Sequence, residues 1–228
     1  IVMSCALESR YVISKKVCAA LSWHQDNGRP KDRSCRALLQ KLDRSGFLQL
    51  PAPRHPQRVR RPIPLTSRTD PRLPFPLEPR DVALEHFQVA TRIRCEELLW
   101  NEFVERYHYL KFGIVVGPQL KYFVKVRGEL VACMSFGGAA WKVEPRDRWI
   151  GWTTEQRKLN LRYVVNNTRY LILPWVEVKN LASRILALAA KRLPEDWQRL
   201  YGYEPCLLET FVNTDRHRGT CYKAANWT

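Results

Sequence analysis

A run of polar and aromatic residues between positions 141 and 169 is the part of the sequence best suited to recognise a nucleotide. Arginine binds phosphate through two parallel hydrogen bonds, asparagine contacts base edges or sugars, and tryptophan stacks on exposed bases. We therefore predict a polar, tryptophan-rich pocket. Its members are Trp141, Arg146, Asp147, Trp152, Arg157, Asn160, Asn166, Asn167 and Arg169, with Trp149 nearby. The competing interpretation is a buried network in which Asp147 pairs with Arg157 or Arg169 while the tryptophans fill the core.

Three carboxylates and two histidines are the candidates for catalysis. Asp147, Glu177 and Glu209 could bind Mg²⁺ in a metal-dependent nuclease, and His108 or His217 could act as its base. The sequence contains no D-x-D pair and no H-x-x-x-H pair that would support such a site. We therefore predict no metal ion and regard the histidines as structural residues, with the nuclease kept as an alternative.

The overall charge favours a polyanionic partner. The 228 residues include 38 Lys and Arg against 22 Asp and Glu, a formal net charge of +16. Such an excess repels itself unless a nucleic acid or an acidic membrane surface neutralises it. No apolar run reaches the ~20 residues that a membrane helix needs, so we expect DNA and no membrane as the partner. The surplus is concentrated in residues 1–80, which carry sixteen Lys and Arg against six acidic residues.

Residues 1–50 are predicted to form a winged-helix-like DNA-binding domain. Ser14 is placed to cap a first helix, a second helix opens at Pro30, and residues 47–50 resemble a short strand. The second helix would enter the major groove of DNA. We expect base contacts from Arg33, Arg36 and Gln40 and phosphate contacts from Lys31 and Lys41. The alternative is a small helical hairpin that binds protein.

Residues 51–80 are predicted to be an extended basic linker. They contain nine of the fifteen prolines, and proline fixes φ and removes a backbone donor, which excludes helix and central strand. Arginine recurs along the same stretch, so it could lie along a phosphate backbone, with contacts from Arg58, Arg60 and Arg61. A plain solvated spacer is the alternative.

Residues 81–228 alternate helices with strands and are predicted to form a mixed α+β domain. We expect helices at 95–110, 181–193 and 219–227, a hairpin of strands at 120–126 and 129–136, and further strands at 169–178 and 206–212. This order resembles the acetyltransferases of the GNAT superfamily. Those enzymes bind acyl-CoA between the third strand and the helix that follows it.

The GNAT-like order implies an acyltransferase as an alternative function. Members of that superfamily cradle the pyrophosphate with a glycine-rich loop, whereas residues 176–183 contain no glycine. Tyr222 lies where such enzymes often carry a general-acid tyrosine, and a core aromatic residue on a short helix is the other interpretation. We predict no cofactor, and acyl-CoA and Mg²⁺ are the alternatives to test.

Several longer strings are similar, in the same order, to the Druantia anti-phage protein family DruA. They occupy residues 22–32, 146–152, 166–169, 171–176, 180–183, 208–212 and 219–222, with a Leu-Pro-x-Pro exit after the first of them. The family is encoded in bacterial defence islands, and related segments precede transposase domains in some mobile elements. The resemblance implies a DNA-directed role but supplies no chemistry. Because members usually continue past Asn226 and Trp227, it also implies a longer protein.

The sequence thus predicts a DNA-binding protein of a bacterial anti-phage system or a mobile element. An acyltransferase or a metal-dependent nuclease is the enzymatic alternative, and a scaffold that recruits a helicase or transposase is the third. Seven cysteines without a C-x-x-C pair, and an amino end without a secretion signal, lead us to expect a cytoplasmic protein with reduced thiols. No oligomeric state is predicted.

Overall fold

A computed structural model describes residues 2, 7–25, 28–53 and 62–228. The chain divides into two compact units, residues 1–61 and 62–228. The predicted phosphate contacts of the linker, Arg58, Arg60 and Arg61, lie outside the described residues. None of the described helices is long and apolar enough to cross a membrane.

The first unit contains a pair of packed helices. Helix α1 spans Arg10–Ala20 and helix α2 spans Asp32–Arg44. The two helices bury apolar side chains that recur at helical spacing. Each helix removes its apolar face from water by packing it against the other helix. The buried core of the unit consists of Ile13, Cys18, Cys35, Leu39 and Leu50.

Helix α1 begins earlier than predicted, because Ser9 caps it and Ser14 does not. The Ser9 hydroxyl accepts a hydrogen bond from the backbone amide of Val12 at 3.3 Å. Ser14 is fully buried within the helix, and its hydroxyl donates to the carbonyl of Tyr11 at 2.7 Å. Ser9 precedes Arg10 and Ser14 precedes Lys15, so the neighbouring residue did not distinguish a capping hydroxyl from one inside the helix.

The strand expected at residues 47–50 is absent. The backbone amide of Leu50 instead donates a hydrogen bond to the Asp43 carboxylate of α2 at 2.9 Å, and the Leu50 side chain packs into the core of the helix pair. Leu48 also packs against this core, whereas Phe47 is exposed. The described part of the first unit is therefore a helical hairpin, and its winged-helix form is not confirmed.

Residues 62–228 form a five-stranded sheet with helices around it. The strands are β1 (Phe87–Val89), β2 (Gln119–Val126), β3 (Glu129–Gly138), β4 (Val164–Ile172) and β5 (Leu207–Thr210), and the helices are α3 (Arg94–Tyr107), α4 (Glu144–Ile150), α5 (Thr154–Asn160), α6 (Leu181–Tyr201) and α7 (Thr220–Ala224). The strands lie side by side in chain order, antiparallel from β1 to β4 and parallel between β4 and β5. The parallel pair requires a crossover connection, which α6 supplies. The mixed α+β class is confirmed.

Helices α3 and α6 cover opposite faces of the sheet. Neighbouring residues of a strand point to opposite faces. On β2, Phe123 packs edge-on against Phe103 of α3 with ring centroids 6.3 Å apart, whereas the adjacent Tyr122 donates its hydroxyl to Asp196 of α6 at 2.9 Å. Both faces are therefore covered, which explains why β2 and β3 are buried along nearly their whole length.

Helix α6 is longer than predicted. The expected end at residue 193 is wrong, because the helix continues through Pro194 to Tyr201. Proline removes one backbone hydrogen bond from a helix interior. The next turn carries Asp196 and Trp197, both buried, and Asp196 is hydrogen-bonded to β2. Packing of this turn against the sheet therefore outweighs the unfavourable proline.

Strand β4 begins five residues before its predicted start and ends before Pro174. The apolar run at 169–178 suggested a longer strand, but the amide of Val176 donates to the carbonyl of Leu173 at 2.9 Å and closes a turn. The polar residues that precede the run are part of the strand instead. This difference places Asn167 on a strand that has neighbours on both sides.

Residues 66–70, in the second half of the predicted linker, contact α3. The Glu102 carboxylate is almost fully buried, and it accepts hydrogen bonds from the Thr69 hydroxyl at 2.8 Å and from the amide and hydroxyl of Thr66. A buried carboxylate needs such donors to replace water. This part of the proline-rich segment therefore belongs to the second unit.

Candidate functional site

The residues around Asp147 form a buried ion-pair network. Asp147 accepts hydrogen bonds from Arg146, at 2.7 Å from Nη2 and 2.9 Å from Nε, and from Arg157 Nη1 at 3.1 Å. Arg146 Nη1 also lies 3.2 Å from a carboxylate oxygen of Glu209 on β5. Each of the four side chains is at least 90% buried. Two arginines and two carboxylates thus neutralise one another, and Asp147 pairs with Arg157 and not with Arg169.

The surroundings of Asp147 keep its carboxyl group ionised and occupied. Burial alone would raise its pKa, but the hydrogen bonds and charge of Arg146, followed by those of Arg157, outweigh burial and hold the pKa below its usual value. Glu177 is exposed in the loop after β4 and does not join the network. Among the described residues, no group of three or more His, Cys, Asp or Glu side chains could hold a metal ion. The Mg²⁺ site considered for Asp147, Glu177 and Glu209 is therefore not assembled.

Trp152 and Asn160 line a separate apolar cavity. It has a volume of about 300 Å³ and lies among α4, α5 and the first residues of β4 and β5. Its walls are formed by Trp149, Ile150, Trp152, Asn160, Tyr163, Val164, Cys206 and Leu207. Trp141 does not line this cavity; it is 57% exposed, and the Arg157 guanidinium lies 5.6 Å from its ring. The predicted pocket residues are thus divided among different places.

A larger cleft, about 360 Å³ in volume, opens where β4 and β5 separate. The strands are paired as far as Asn167 and Thr210, after which β4 continues and the chain leaves β5 in another direction. The lining side chains come from the residues that follow α3, from β4, from the end of β5 and the segment after it, and from α7. They include Asn167, Arg169 and Tyr222 from the predicted set, the two candidate histidines His108 and His217, and also Tyr109, Phe211, Arg216 and Arg218.

Asn167 and Tyr222 form a hydrogen-bonded pair in the cleft. The Asn167 amide nitrogen donates to the carbonyl of Ser135 on β3 at 3.0 Å, and its amide oxygen accepts the Tyr222 hydroxyl at 2.7 Å. Burial raises the pKa of Tyr222 to about 12, so the phenol keeps its proton at neutral pH. This proton is directed to Asn167. The arrangement suits a residue that fixes the wall of the cleft better than a general acid.

The charged side chains that line the cleft are cationic. They belong to Arg169, Arg216 and Arg218, and none of the described lining residues carries a carboxylate. Arg169 is oriented by backbone carbonyls, with Nε 2.9 Å from the oxygen of Lys111 and Nη1 2.6 Å from the oxygen of Thr168. Positive charge gathered on a concave surface raises the local concentration of anions. The cleft therefore favours a negatively charged ligand.

Asn213 shapes the loop that carries Arg216. Its carbonyl accepts hydrogen bonds from the amides of Arg216 at 3.1 Å and His217 at 2.9 Å, and its side-chain oxygen accepts one from the amide of Asp215 at 3.1 Å. The Arg216 guanidinium lies 5.5 Å from the centre of the Tyr109 ring. The sequence pointed to His217 but missed both flanking arginines, although the Arg-His-Arg run was a visible signal.

His108 is a neutral hydrogen-bond donor. Burial first, and then the charges of Arg169 and His217, lower its pKa to about 4. Its Nδ1 accepts a hydrogen bond from the backbone amide of Leu110 at 3.1 Å. The single proton of the neutral ring therefore lies on Nε2. Because Nδ1 is occupied, His108 is poorly suited to act as a base. The ring stacks on Tyr109 with centroids 4.8 Å apart.

The predicted DNA contacts of the first unit lie along α2. The exposed residues on the helix are Arg33, Gln40 and Lys41. Lys31 precedes the helix and is half-buried. Arg36 is already engaged, since Nη2 lies 3.1 Å from the Asp32 carboxylate and the guanidinium lies 5.6 Å from the Tyr11 ring. Among the described basic residues of α2, Arg36 is therefore the least available to contact DNA.

The fold and cleft define an α+β protein with an anion-attracting cleft and a basic helical unit. A family model described as Druantia protein DruA matches residues 41–228. The chain therefore belongs to the DruA family, and this membership implies a role in a Druantia anti-phage system. The family resemblance seen in the sequence is confirmed, although the string at 22–32 precedes the matched residues and no relation to transposases is shown. Comparison with curated proteins gave no match.

Proposed function

We propose that this member of the DruA family binds DNA in a Druantia anti-phage system. The observation that carries the proposal is the lining of the cleft, which includes Arg169, Arg216 and Arg218 and, among the described lining residues, no carboxylate. Contacts between basic side chains and phosphates supply most of the non-specific affinity of DNA-binding proteins. The formal net charge of +16 supports the same conclusion.

The proposal is tested by the salt dependence of DNA binding, measured by fluorescence anisotropy. Replacing Arg216 and Arg218 together with alanine should weaken binding to single-stranded DNA. It should also reduce the slope of log affinity against log salt by about 1.4, since each phosphate contact on a single strand contributes about 0.7. The matched control replaces Arg80 and Arg148, which are also exposed arginines, so that the same charge is removed elsewhere in the second unit. Absence of binding at low salt, or an equal loss in the control, would refute the proposal.

Helix α2 is proposed as a second DNA-contacting surface. Arg33 and Gln40 are seven residues apart and lie on one face of the helix, and both are exposed. Lys41→Ala should weaken binding about equally for all DNA sequences, because phosphate contacts carry no sequence information. Arg33→Ala and Gln40→Ala should change the preferred sequence, which a binding selection from random duplexes would measure. An unchanged preference in both variants contradicts base contacts by α2.

A GNAT-like architecture is also proposed for the second unit. It is supported by the parallel β4 and β5 with a cleft where they separate, and by α6 directly after β4. Acyl-CoA is not proposed as a cofactor, because residues 176–183 lack the glycines that let backbone amides approach a pyrophosphate. Acetyl-CoA should therefore leave the thermal unfolding midpoint unchanged, and a clear upward shift would return the acyltransferase to consideration.

A cytoplasmic location and a helicase or transposase partner remain proposals. The location is supported by the six cysteines within the described residues, which are all free thiols. Thiols stay reduced in the cytosol. A partner would be identified by stable co-purification from cells that express the whole system, and its absence would favour a protein that acts on DNA by itself.

A further inference from the structure

We propose that the cleft between β4 and β5 holds a single nucleotide, with its phosphate on Arg216 and Arg218 and its base against Phe211. The inference rests on the proposed function, because it names the part of a nucleic acid that enters the cleft. It concerns residues that lie between β5 and α7 and that form one side of the cleft.

The size of the cleft suits one nucleotide. Its volume of about 360 Å³ lies at the lower end of the range of about 300–1,000 Å³ that small-molecule sites occupy. A base inside a duplex is paired and stacked and cannot enter such a space unless it leaves the helix. The ligand is therefore an unpaired nucleotide, and duplex DNA contacts the protein elsewhere.

Phe211 supplies a flat apolar face at the cleft. It follows β5 directly, lines the cleft and is 57% exposed, so its ring is not used to fill the core. Bases stack on aromatic side chains with little regard to base identity, because every base has a π-face. Such stacking is worth about 5- to 150-fold in affinity for each base.

The phosphate is assigned to the arginines of the neighbouring loop. Arg216 and Arg218 are exposed and line the same cleft, and the backbone of Arg216 is held by Asn213. Guanidinium groups donate two parallel hydrogen bonds to phosphate oxygens. His108 lines the cleft as well and carries its proton on Nε2, which provides a neutral donor without a competing negative charge.

The test compares Phe211→Ala with the wild-type protein in binding to labelled oligothymidylate and to its blunt duplex with oligoadenylate. The variant should bind the single strand at least 5-fold more weakly and the duplex within twofold of wild type. Phe47→Ala is the matched control, because Phe47 is 80% exposed and lies in the first unit. Arg216→Ala is the second variant, and it should weaken single-strand binding even if Phe211→Ala proves unstable in a thermal melt.

A competition experiment with thymidine monophosphate distinguishes a free nucleotide from a nucleotide within a strand. If thymidine monophosphate displaces the single strand from the wild-type protein and not from Phe211→Ala, the cleft accepts a free nucleotide. If thymidine monophosphate does not compete while both cleft variants weaken single-strand binding, the nucleotide belongs to a strand.

The inference and the proposed function fail differently. If neither Phe211→Ala nor Arg216→Ala weakens single-strand binding, or if each weakens duplex binding equally, the nucleotide site is refuted while DNA binding stands. If the wild-type protein binds neither DNA at low salt, both are refuted.

Discussion

Removal of the Asp147 side chain should destabilise the second unit strongly. In Asp147→Ala, Arg157 loses its carboxylate partner at 3.1 Å, and Arg146 keeps Glu209 at 3.2 Å as its carboxylate partner and the Ala140 carbonyl at 3.0 Å. Breaking a buried ion pair by deleting one partner costs about 3–5 kcal/mol, because the remaining charge stays buried without compensation. In a unit of this size, that loss corresponds to a fall of about 6–20 °C in Tm.

The free energy of unfolding is measured by guanidinium denaturation followed by circular dichroism. The matched control is Glu144→Ala, which breaks the pair between Glu144 and Arg148 at 2.6 Å on the same helix, with side chains 74% and 78% exposed. An exposed pair contributes about 0–1 kcal/mol. If Asp147→Ala costs no more than the control, the buried network does not stabilise the fold, and a structural role for Asp147 is refuted.

The pH dependence provides an independent check on the same carboxylate. The pKa of Asp147 is lower in the folded protein than the usual value of about 3.9 in an unfolded chain. Its contribution to stability is therefore complete above about pH 4 and is lost as the pH falls through the folded pKa. The difference in stability between wild type and Asp147→Ala should shrink in that acidic range, and a constant difference would contradict the role of ionised Asp147.

Three further changes test other parts of the second unit. The pKa of His108 is about 4 in the folded protein and about 6.5 in an unfolded chain, so the wild-type protein should lose about 2 kcal/mol of its free energy of unfolding between pH 7 and pH 5. In urea denaturation, His108→Gln should lose less over the same range. Pro194→Ala should raise the thermal midpoint, because it restores a backbone hydrogen bond within α6 and removes a steric conflict; an unchanged midpoint would contradict this. Tyr222→Phe should cost about 1–3 kcal/mol in chemical denaturation, because the Asn167 oxygen loses its donor, and a neutral effect would show that the bond is dispensable.

The sequence predicted the fold best where hydrophobic periodicity is long and regular. The hairpin at 120–136 is nearly correct because β2 and β3 are both long strands joined by the Arg127–Gly128 turn. The class follows from alternating helical and strand patterns. The elements that were missed are short: β1 has three residues, and α4 and α5 have seven each, too few to show a period.

The site was predicted less well, because nearness in the sequence was used as a guide to nearness in space. Arg146 and Asp147 do lie together, but a partner of Arg146, Glu209, is 63 positions away. The cleft likewise joins His108 to Arg169 and Tyr222. Pairings between distant strands decide such contacts. The parallel register of β4 with β5 cannot be predicted from the sequence of either strand alone.

The parallel pairing of β4 with β5 has a consequence for biosynthesis. Asn167 and Thr210 pair across 43 positions, and contacts of such separation form late because a long loop must close first. Until residues 207–210 have left the ribosome, β4 is an unprotected edge strand and Arg146 lacks Glu209. The cleft forms when β5 pairs with β4. A nascent chain that has not yet closed its sheet therefore has no cleft between β4 and β5.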